Sequence, residues 1–220
     1  MQVLFCDLMP KYDAFFLDVD GTLLDSLGTK NTVFIQLLSE EGVPASFSER
    51  IILDSVAFTR AERFKKVWRS YYREEIPRII LEKLLKLSAL QLLNSECAPL
   101  PGADLFLKTF APRSHLHVVS AANHIEIVQS FSRLGWSKYF LTINADLENK
   151  SVAFDKIMKD FAYPKNACLS VGDTRSDCAA AIESGIGYWH IKSHPNEDMA
   201  LNNNSVGDSI DFFALINYLT

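Results

Sequence analysis

The chain has few cysteines, no apolar run long enough to cross a bilayer, and no large excess of charge of one sign. Its 220 residues include four cysteines, and none of them forms a Cys-x-x-Cys pair or lies at zinc-binding spacing from histidines. We therefore expect small buried hydrophobic side chains rather than disulfides or a zinc site. The net charge of −5 argues against broad binding to nucleic acid or anionic membranes, but it leaves room for a small phosphorylated substrate.

The beginning of the chain also lacks the features of a secretory signal. Residues 1–9 contain neither a basic start nor a long apolar stretch. The default expectation is therefore a protein of the reducing cytoplasm. With 48% hydrophobic and 22% charged residues, the composition is that of a globular chain able to bury its own core.

Short apolar runs predict the strands of a parallel sheet. They lie at residues 14–17, 116–119, 139–143, 167–171 and 187–191. Helical patterns separate the later runs, at residues 123–134, 151–161 and 177–184, and a last short helix is predicted at 210–218, after a loop at 202–204. Alternation of strand and helix predicts repeated βαβ units and an α/β fold.

Residues 26–99 have a different pattern, with helical periodicity and no convincing strand. Four apolar helix faces are predicted, around residues 33–38, 47–56, 61–71 and 79–90, and Ser48 is a plausible N-cap of the second. The segment ends at the turn sequence Pro99-Leu100-Pro101-Gly102, which suits a hinge. We predict an α/β core of residues 1–25 and 100–220 with an all-helical domain of residues 26–99 inserted after the first strand.

Polar side chains follow several of the predicted strands at the points where they end. In a parallel sheet these ends share one edge, which is where ligands bind. The candidates at this edge are Asp18, Asp20, Ser120, Lys150, Asp173 and Asp177. Carboxylates are the hard oxygen ligands that Mg²⁺ prefers, and one of them can act as a nucleophile that forms an aspartyl-phosphate. A lysine, a hydroxyl group and backbone amides would stabilise phosphoryl oxygens, and a second acid could transfer protons.

The order of these motifs resembles that of the haloacid dehalogenase superfamily phosphatases. The stretch from Asp18 to Ser26, DVDGTLLDS, resembles their first motif, and the helical insert after it resembles the α-helical cap of the phosphoglycolate phosphatase-like branch. The sequence VVS ending at Ser120 is similar to the second motif, Lys150 fits the third by position, and VGDTRSD at 171–177 resembles the fourth. The resemblance implies a Rossmann-like parallel-sheet core with an inserted helical cap.

The resemblance also implies a role for each matching residue. Asp18 would be the nucleophile and a Mg²⁺ ligand, and Asp20 the general acid and base, with its backbone carbonyl on the metal. Asp173 would bind the metal, with Asp177 as a further ligand or a neighbour; a helix N-terminal acid is the equal alternative for Asp177. The expected phosphate-binding residues are Gly21, Ser120, Ala121 and Lys150. Because Lys150 is followed by Ser151 rather than the proline frequent in this branch, Lys156 is the alternative third-motif lysine.

These roles lead to one main functional hypothesis and several alternatives. The first is a Mg²⁺-dependent phosphatase that acts on a small phosphorylated metabolite through an aspartyl-phosphate, as a monomer or homodimer, with a cap that excludes water and large protein substrates. A phosphomutase and a non-catalytic binding protein on the same scaffold are the alternatives. A dehalogenase or phosphonatase would leave Asp20 unexplained. A response-regulator receiver would lack the cap and would carry its metal-binding acids before the phosphorylated strand.

Two further groups of side chains have simpler interpretations. The cap segment carries cations at Arg60, Arg63, Lys65, Lys66 and Arg69. Most of them are expected on a solvated helix face, with Arg60 or Lys65 the candidates to reach an anionic substrate. His117 lies within a predicted buried strand and is expected to be a hydrogen-bonded core histidine.

Overall fold

The computed structural model describes residues 11–55, 58–192 and 204–220. Its strands are β1 (Ala14–Leu17), β2 (Leu24–Asp25), β3 (Ala98–Pro99), β4 (His115–Val119), β5 (Thr142–Asn144), β6 (Cys168–Gly172), β7 (Gly187–Ile191) and β8 (Ser205–Ser209). Within the described residues, six of them form one parallel sheet in the order β5-β4-β1-β6-β7-β8. The predicted α/β fold with a parallel sheet is confirmed.

The helices lie between these strands and in the segment inserted after β2. Their bounds are α1 (Leu27–Glu40), α2 (Ala45–Leu53), α3 (Arg60–Tyr72), α4 (Arg78–Asn94), α5 (Ala103–Phe110), α6 (His124–Leu134), α7 (Lys150–Phe161), α8 (Arg175–Ser184) and α9 (Phe212–Leu219). Helix α5 was not predicted. In α2 the N-cap is Pro44, and Ser48 lies buried inside the helix, so the prediction of Ser48 as the cap was wrong. Val56 and the loop residues 202–203 lie outside the described residues.

One predicted strand is shifted along the chain. The apolar run at 139–143 begins as a 3₁₀ turn at Ser137–Tyr139, and the strand occupies only Thr142–Asn144. The ring of Phe140 stacks on Phe131 of α6 with centroids 4.6 Å apart, so the apolar character of this run serves helix packing. The strand β8 was not predicted, because its sequence SVGDS is polar and half-buried at the sheet edge.

Strand β1 shows why continuous apolar runs mark the centre of this sheet. Successive side chains point to opposite faces, so Phe15 and Leu17 pack into one core while Ala14 and Phe16 pack into another. Phe16 stacks on Phe154 of α7 with ring centroids 4.9 Å apart. Burial of one such aromatic side chain stabilises the fold by about 2 kcal/mol. The strand that carries Asp18 is thus held rigidly from both sides.

The four helices α1 to α4 share a separate apolar core. It contains Phe34, Leu38, Phe64, Val67 and Trp68, all buried. The short strands β2 and β3 pair antiparallel, with Leu24 opposite Pro99 and Asp25 opposite Ala98, so the inserted segment begins and ends at adjacent points. The division into a core and an inserted cap stays a prediction, and we use the word cap for residues 26–99.

The cysteine and membrane expectations can be compared with the described residues. Cys168 and Cys178 are buried and Cys97 is half-buried, and Cys97 and Cys168 are free thiols; Cys6 lies outside the described residues. Among the helices described, none combines the length and hydropathy needed to cross a lipid bilayer.

Candidate active site

Three buried carboxylates meet at the carboxyl ends of β1 and β6. These strands are neighbours in the sheet, and the backbone N–H of Asp18 donates to the carbonyl of Val171 at 3.0 Å. Asp18, Asp173 and Asp177 each offer an oxygen atom within 4.8 Å of the others, and all three residues are buried. The sequence prediction that Asp18 and Asp173 approach one another agrees with this geometry. We call these three residues the acid cluster.

Lys150 supplies the positive charge of this site. It is the first residue of α7, and its Nζ donates to Asp18 Oδ1 at 2.7 Å and to Asp177 Oδ1 at 2.5 Å. Although burial alone would lower the pKa of Lys150, the charges of Asp177 and Asp18 raise it above its ordinary value, so the side chain is an ammonium. Lys156 lies in the same helix, but it is largely exposed and pairs with Asp160 at 2.6 Å. The structure therefore places Lys150 in contact with the acid cluster and Lys156 at the surface.

Asp177 has the helix N-terminal role considered for it, and its place in the acid cluster leaves the metal-binding role a prediction. Its Oδ2 accepts hydrogen bonds from the backbone N–H of Thr174 at 3.0 Å and from the Thr174 hydroxyl at 2.5 Å, which forms a capping box at the start of α8. Its other oxygen is the one bound by Lys150. A Cβ atom added at Gly172 would lie 2.4 Å from the Asp177 carboxyl carbon. A glycine is thus needed there for this carboxylate to approach the sheet.

Gly21 likewise leaves room for a carboxylate of the acid cluster, in this case that of Asp173. Its φ of +74° is in the left-handed region, and an added Cβ would lie 2.3 Å from Asp173 Oδ2. The Gly21 amide donates to the carbonyl of Leu24 at 2.8 Å and is not free to bind a phosphate in this structure. Thr22, which the sequence analysis did not single out, donates to Asp173 Oδ1 at 3.2 Å.

The three carboxylates of the acid cluster repel one another, and Lys150 offsets part of their negative charge. Burial, followed by the charges of Asp18 and Asp177, raises the pKa of Asp173 well above its ordinary value. Burial likewise raises the pKa of Asp18, and the charge of Asp177 adds to this effect while Lys150 opposes it. A divalent cation would relieve this repulsion, and an all-oxygen donor set suits Mg²⁺. The residues present thus fit the metal that the family resemblance implies.

Asp20 lies apart from the acid cluster and has partners of its own. Its carboxylate accepts a hydrogen bond from the Ser26 hydroxyl at 2.5 Å and forms an ion pair with Lys30 of α1. Burial alone would raise the pKa of Asp20, but the charge and hydrogen bond of Lys30 outweigh it and lower the pKa. Lys30 was not among the site residues predicted from the sequence. The signal available was its i, i+4 spacing from Ser26, which puts both side chains on the helix face nearest the first motif.

Asp18, Asp173 and Lys150 line a cleft of about 790 Å³, and several residues of the cap line it as well. Ser120 directly follows β4 and lines this cleft, and its Oγ accepts a hydrogen bond from the Ala122 amide at 3.2 Å. Ala121 is an exposed lining residue beside it. The structure thus brings Ser120, Ala121 and Lys150 to the same cavity as Asp18 and Asp173.

The cap cations agree in part with the expected solvated face, since Lys65 and Arg69 are exposed. Arg60 donates from Nη2 to both carboxylate oxygens of Glu126 in α6, at 2.7 and 2.9 Å, and so ties the cap to the core. Arg63 is buried, which contradicts the expectation of a solvated side chain. Lys65 lines the cleft, as do both arginines.

The expectation for His117 is confirmed. Its side chain is fully buried and bonds through Nδ1 to the Thr142 hydroxyl at 2.8 Å and through Nε2 to the Tyr163 hydroxyl at 3.2 Å. Burial lowers its pKa to about 4, so the imidazole is neutral at physiological pH. It lies away from the cleft and has a structural role.

The fold and this site together define an α/β enzyme core, with buried acids and a lysine at the carboxyl ends of parallel strands. The family model for haloacid dehalogenase-like hydrolases matches residues 15–191. The chain belongs to the haloacid dehalogenase-like hydrolase family, which confirms the resemblance found in its motifs. A search of curated proteins found no match.

Solved structures share this fold over nearly the whole chain. A predicted phosphoglycolate phosphatase from Haemophilus somnus is similar with a TM-score of 0.80 at 16% identity, over 96% of this chain and 100% of that one. A haloacid dehalogenase-like hydrolase from Streptococcus pneumoniae is similar with a TM-score of 0.76 at 17% identity, over 96% and 99%. A candidate β-phosphoglucomutase from Thermotoga maritima gives 0.74 at 15% identity, over 94% and 100%. At these identities the likeness concerns the fold.

Proposed function

We propose that this protein is a Mg²⁺-dependent phosphatase that hydrolyses a small phosphate monoester through an aspartyl-phosphate intermediate. The observation that carries the proposal is the contact of Lys150 with Asp18 and Asp177, because Lys150 and Asp18 also line a cleft shared with the cap. A buried carboxylate beside a fixed ammonium is suited to attack a phosphorus atom whose oxygens need positive neighbours. The similarity in fold to the Haemophilus somnus protein agrees with this substrate class.

The proposed reaction has two steps, each with a proton transfer by Asp20. In the first, a carboxylate oxygen of Asp18 forms a bond to phosphorus, the ester P–O bond breaks, and the protonated Asp20 gives its proton to the leaving alkoxide. In the second, Asp20 takes a proton from water, which attacks phosphorus and releases inorganic phosphate with Asp18 restored. In this structure Lys30 holds Asp20 as a carboxylate, which is the form required by the second step. The first step requires that ion pair to open.

The remaining residues of the site bind and neutralise the phosphoryl group. Lys150 would balance the charge of the nucleophile and of the transferred group, while Ser120 and the amides near Ala121 would donate hydrogen bonds. Asp18, Asp173 and Asp177 would hold the magnesium ion, with the backbone carbonyl of Asp20 as the family pattern implies. When bound, magnesium would neutralise phosphoryl oxygens and lower the barrier to attack.

The nucleophile assignment is tested with Asp18→Asn and p-nitrophenyl phosphate as the substrate. We expect hydrolysis to fall to background, because the amide is a poor nucleophile, while circular dichroism shows a folded protein. Asp155→Asn is the matched control, because Asp155 is an exposed residue of α7 and should keep wild-type turnover. Near wild-type turnover by Asp18→Asn would overturn the assignment.

The metal dependence is tested by dialysis against a chelator followed by titration with Mg²⁺. We expect activity to disappear on chelation and to return with Mg²⁺. A fully active chelated enzyme would remove the metal from the proposal. The cytoplasmic location and the monomeric or homodimeric state remain predictions.

A phosphomutase is the second candidate, since one structure that shares the fold is a candidate β-phosphoglucomutase. The two activities require the same core but have different products. Incubation with phosphorylated sugars followed by phosphate assay and chromatography separates them. Free inorganic phosphate supports the phosphatase, and an isomerised sugar phosphate without phosphate release supports the mutase.

A further inference from the structure

The cap wall of the cleft carries four arginine and lysine side chains, those of Lys30, Arg60, Arg63 and Lys65, and their surroundings differ. Lys30 is paired with Asp20, and Arg60 is paired through both oxygens with Glu126. Arg63 lines the same cleft, yet none of the described carboxylates forms an ion pair with it. Arg63 is thus a cleft-lining cation whose charge no described acid neutralises.

The partners that Arg63 does have are neutral. Its Nη2 donates to Asn31 Oδ1 of α1 at 2.5 Å and to the backbone carbonyl of Ile52 in α2 at 2.9 Å. Its guanidinium carbon lies 5.0 Å from the centre of the Phe34 ring, and Phe34 is also a cleft-lining residue. The Nε atom is buried and has no hydrogen-bond acceptor among the described residues. Three neighbours orient the side chain, but they do not accept hydrogen bonds from all of its N–H groups.

This arrangement is costly if Arg63 serves only to join helices. Its residue is 4% exposed, and burial lowers its pKa to about 10, so it still carries a full positive charge at neutral pH. A neutral amide donor could bridge Asn31 and the Ile52 carbonyl without a buried charge. Buried charges in proteins are normally paired, and a guanidinium is suited to bind planar or tetrahedral anions.

We propose that Arg63 recognises a second anionic group on the substrate, so that the protein prefers phosphate monoesters whose organic part carries a carboxylate or a further phosphoryl group. This inference rests on the proposed phosphatase function. The first anion of the substrate is bound at the acid cluster and Lys150, and the second lies at the cap wall. Asn31 and Phe34 hold the guanidinium in place, which reduces the entropy lost when the anion binds.

The experiment compares substrates that differ in their second anion. 3-Phosphoglycerate against glycerol 3-phosphate tests the carboxylate, and fructose 1,6-bisphosphate against fructose 6-phosphate tests the phosphoryl group. For wild-type protein with Mg²⁺ we expect kcat/KM to favour the anion-bearing member of at least one pair by about tenfold or more. The pair that shows the preference identifies the chemistry of the second anion.

Two variants of Arg63 then locate the preference. We expect Arg63→Gln to reduce it by about tenfold and Arg63→Lys, which keeps the charge but loses the planar fork, to reduce it less. Arg69→Gln is the matched control: Arg69 lies in the same helix, is exposed, pairs with Glu75 and should leave the preference unchanged. Circular dichroism checks that each variant is folded.

Each outcome decides the proposal. Equal kcat/KM within both pairs for the wild type overturns it, as does a full preference retained by folded Arg63→Gln. If Arg63→Gln does not fold, Arg63→Lys decides, and an undiminished preference in it is the refuting result. Hydrolysis of p-nitrophenyl phosphate without any preference refutes only the role of Arg63. Failure of the wild type to hydrolyse any phosphate ester removes the proposed function and this inference with it.

Discussion

Replacement of Lys150 by methionine should strongly destabilise the metal-free protein. Methionine keeps most of the aliphatic volume and removes the ammonium, so the change tests charge rather than packing. The Lys150 side chain is 7% exposed and contacts two buried carboxylates, at 2.7 and 2.5 Å. Its pKa is raised by these acids, so the stabilisation it gives is fully present below the ordinary lysine pKa, and pH 7 lies in that range.

The size of the effect follows from what is left behind. Removal of one partner from a buried ion pair typically costs about 3–5 kcal/mol, because the remaining charge stays buried without compensation. Lys156→Met is the matched control in the same helix. Lys156 is 73% exposed and forms an i, i+4 pair with Asp160, a type of pair that contributes about 0.3–0.5 kcal/mol.

The assay is urea unfolding of wild type, Lys150→Met and Lys156→Met at pH 7 in the presence of a chelator. We expect a loss of several kcal/mol for the first variant and under about 0.5 kcal/mol for the second. Added Mg²⁺ should recover part of the loss at Lys150, because a cation can replace the missing charge. Equal stabilities of the two variants, or a larger loss at Lys156, would refute the electrostatic account of the site.

Three further predictions concern other parts of the molecule. Gly21→Ala should weaken Mg²⁺ binding, measured by calorimetry, and reduce stability by about 1–3 kcal/mol, because a Cβ would strike Asp173 and the φ is positive; unchanged affinity contradicts this. Wild type should lose up to about 3 kcal/mol of stability between pH 6.5 and pH 4, because His117 takes up a proton in the unfolded chain but stays neutral when buried. His117→Gln should flatten this dependence of stability on pH, and an unaltered dependence contradicts the assignment. Arg60→Met and Glu126→Gln should show a coupling of about 1 kcal/mol in a double-mutant cycle of unfolding, and strict additivity would show that the pair does not tie cap to core.

The sequence predicted the centre of the sheet and the position of its acids well, for a physical reason. Strands buried on both faces, such as β1 and β6, are continuous apolar runs, and the polar residue that ends each run is local information. Asp18 and Asp173 could therefore be placed at the same edge of the sheet from the sequence alone. The edge strand β8 gave no such signal, since its half-buried residues are polar.

Long-range pairing was the part that no local pattern contained. Arg60 pairs with Glu126 because of the way α3 lies against α6. Arg63 is buried because α1 and α2 pack around it. An amphipathic helix indicates which residue types tend to face water, but a cation facing a cleft obeys the same periodicity as one facing solvent. Tertiary placement likewise decides that Lys150, and not Lys156, contacts Asp18.

The antiparallel pairing of β2 with β3 has a consequence for how such a chain can change over evolutionary time. Because Leu24 and Asp25 lie beside Pro99 and Ala98, the inserted lobe begins and ends at one place, outside the six-stranded sheet. Lengthening, shortening or exchanging that lobe therefore leaves the register of the central strands untouched. The cleft residues that follow the central strands and those of the inserted segment can thus vary independently, with β2 and β3 as their common boundary.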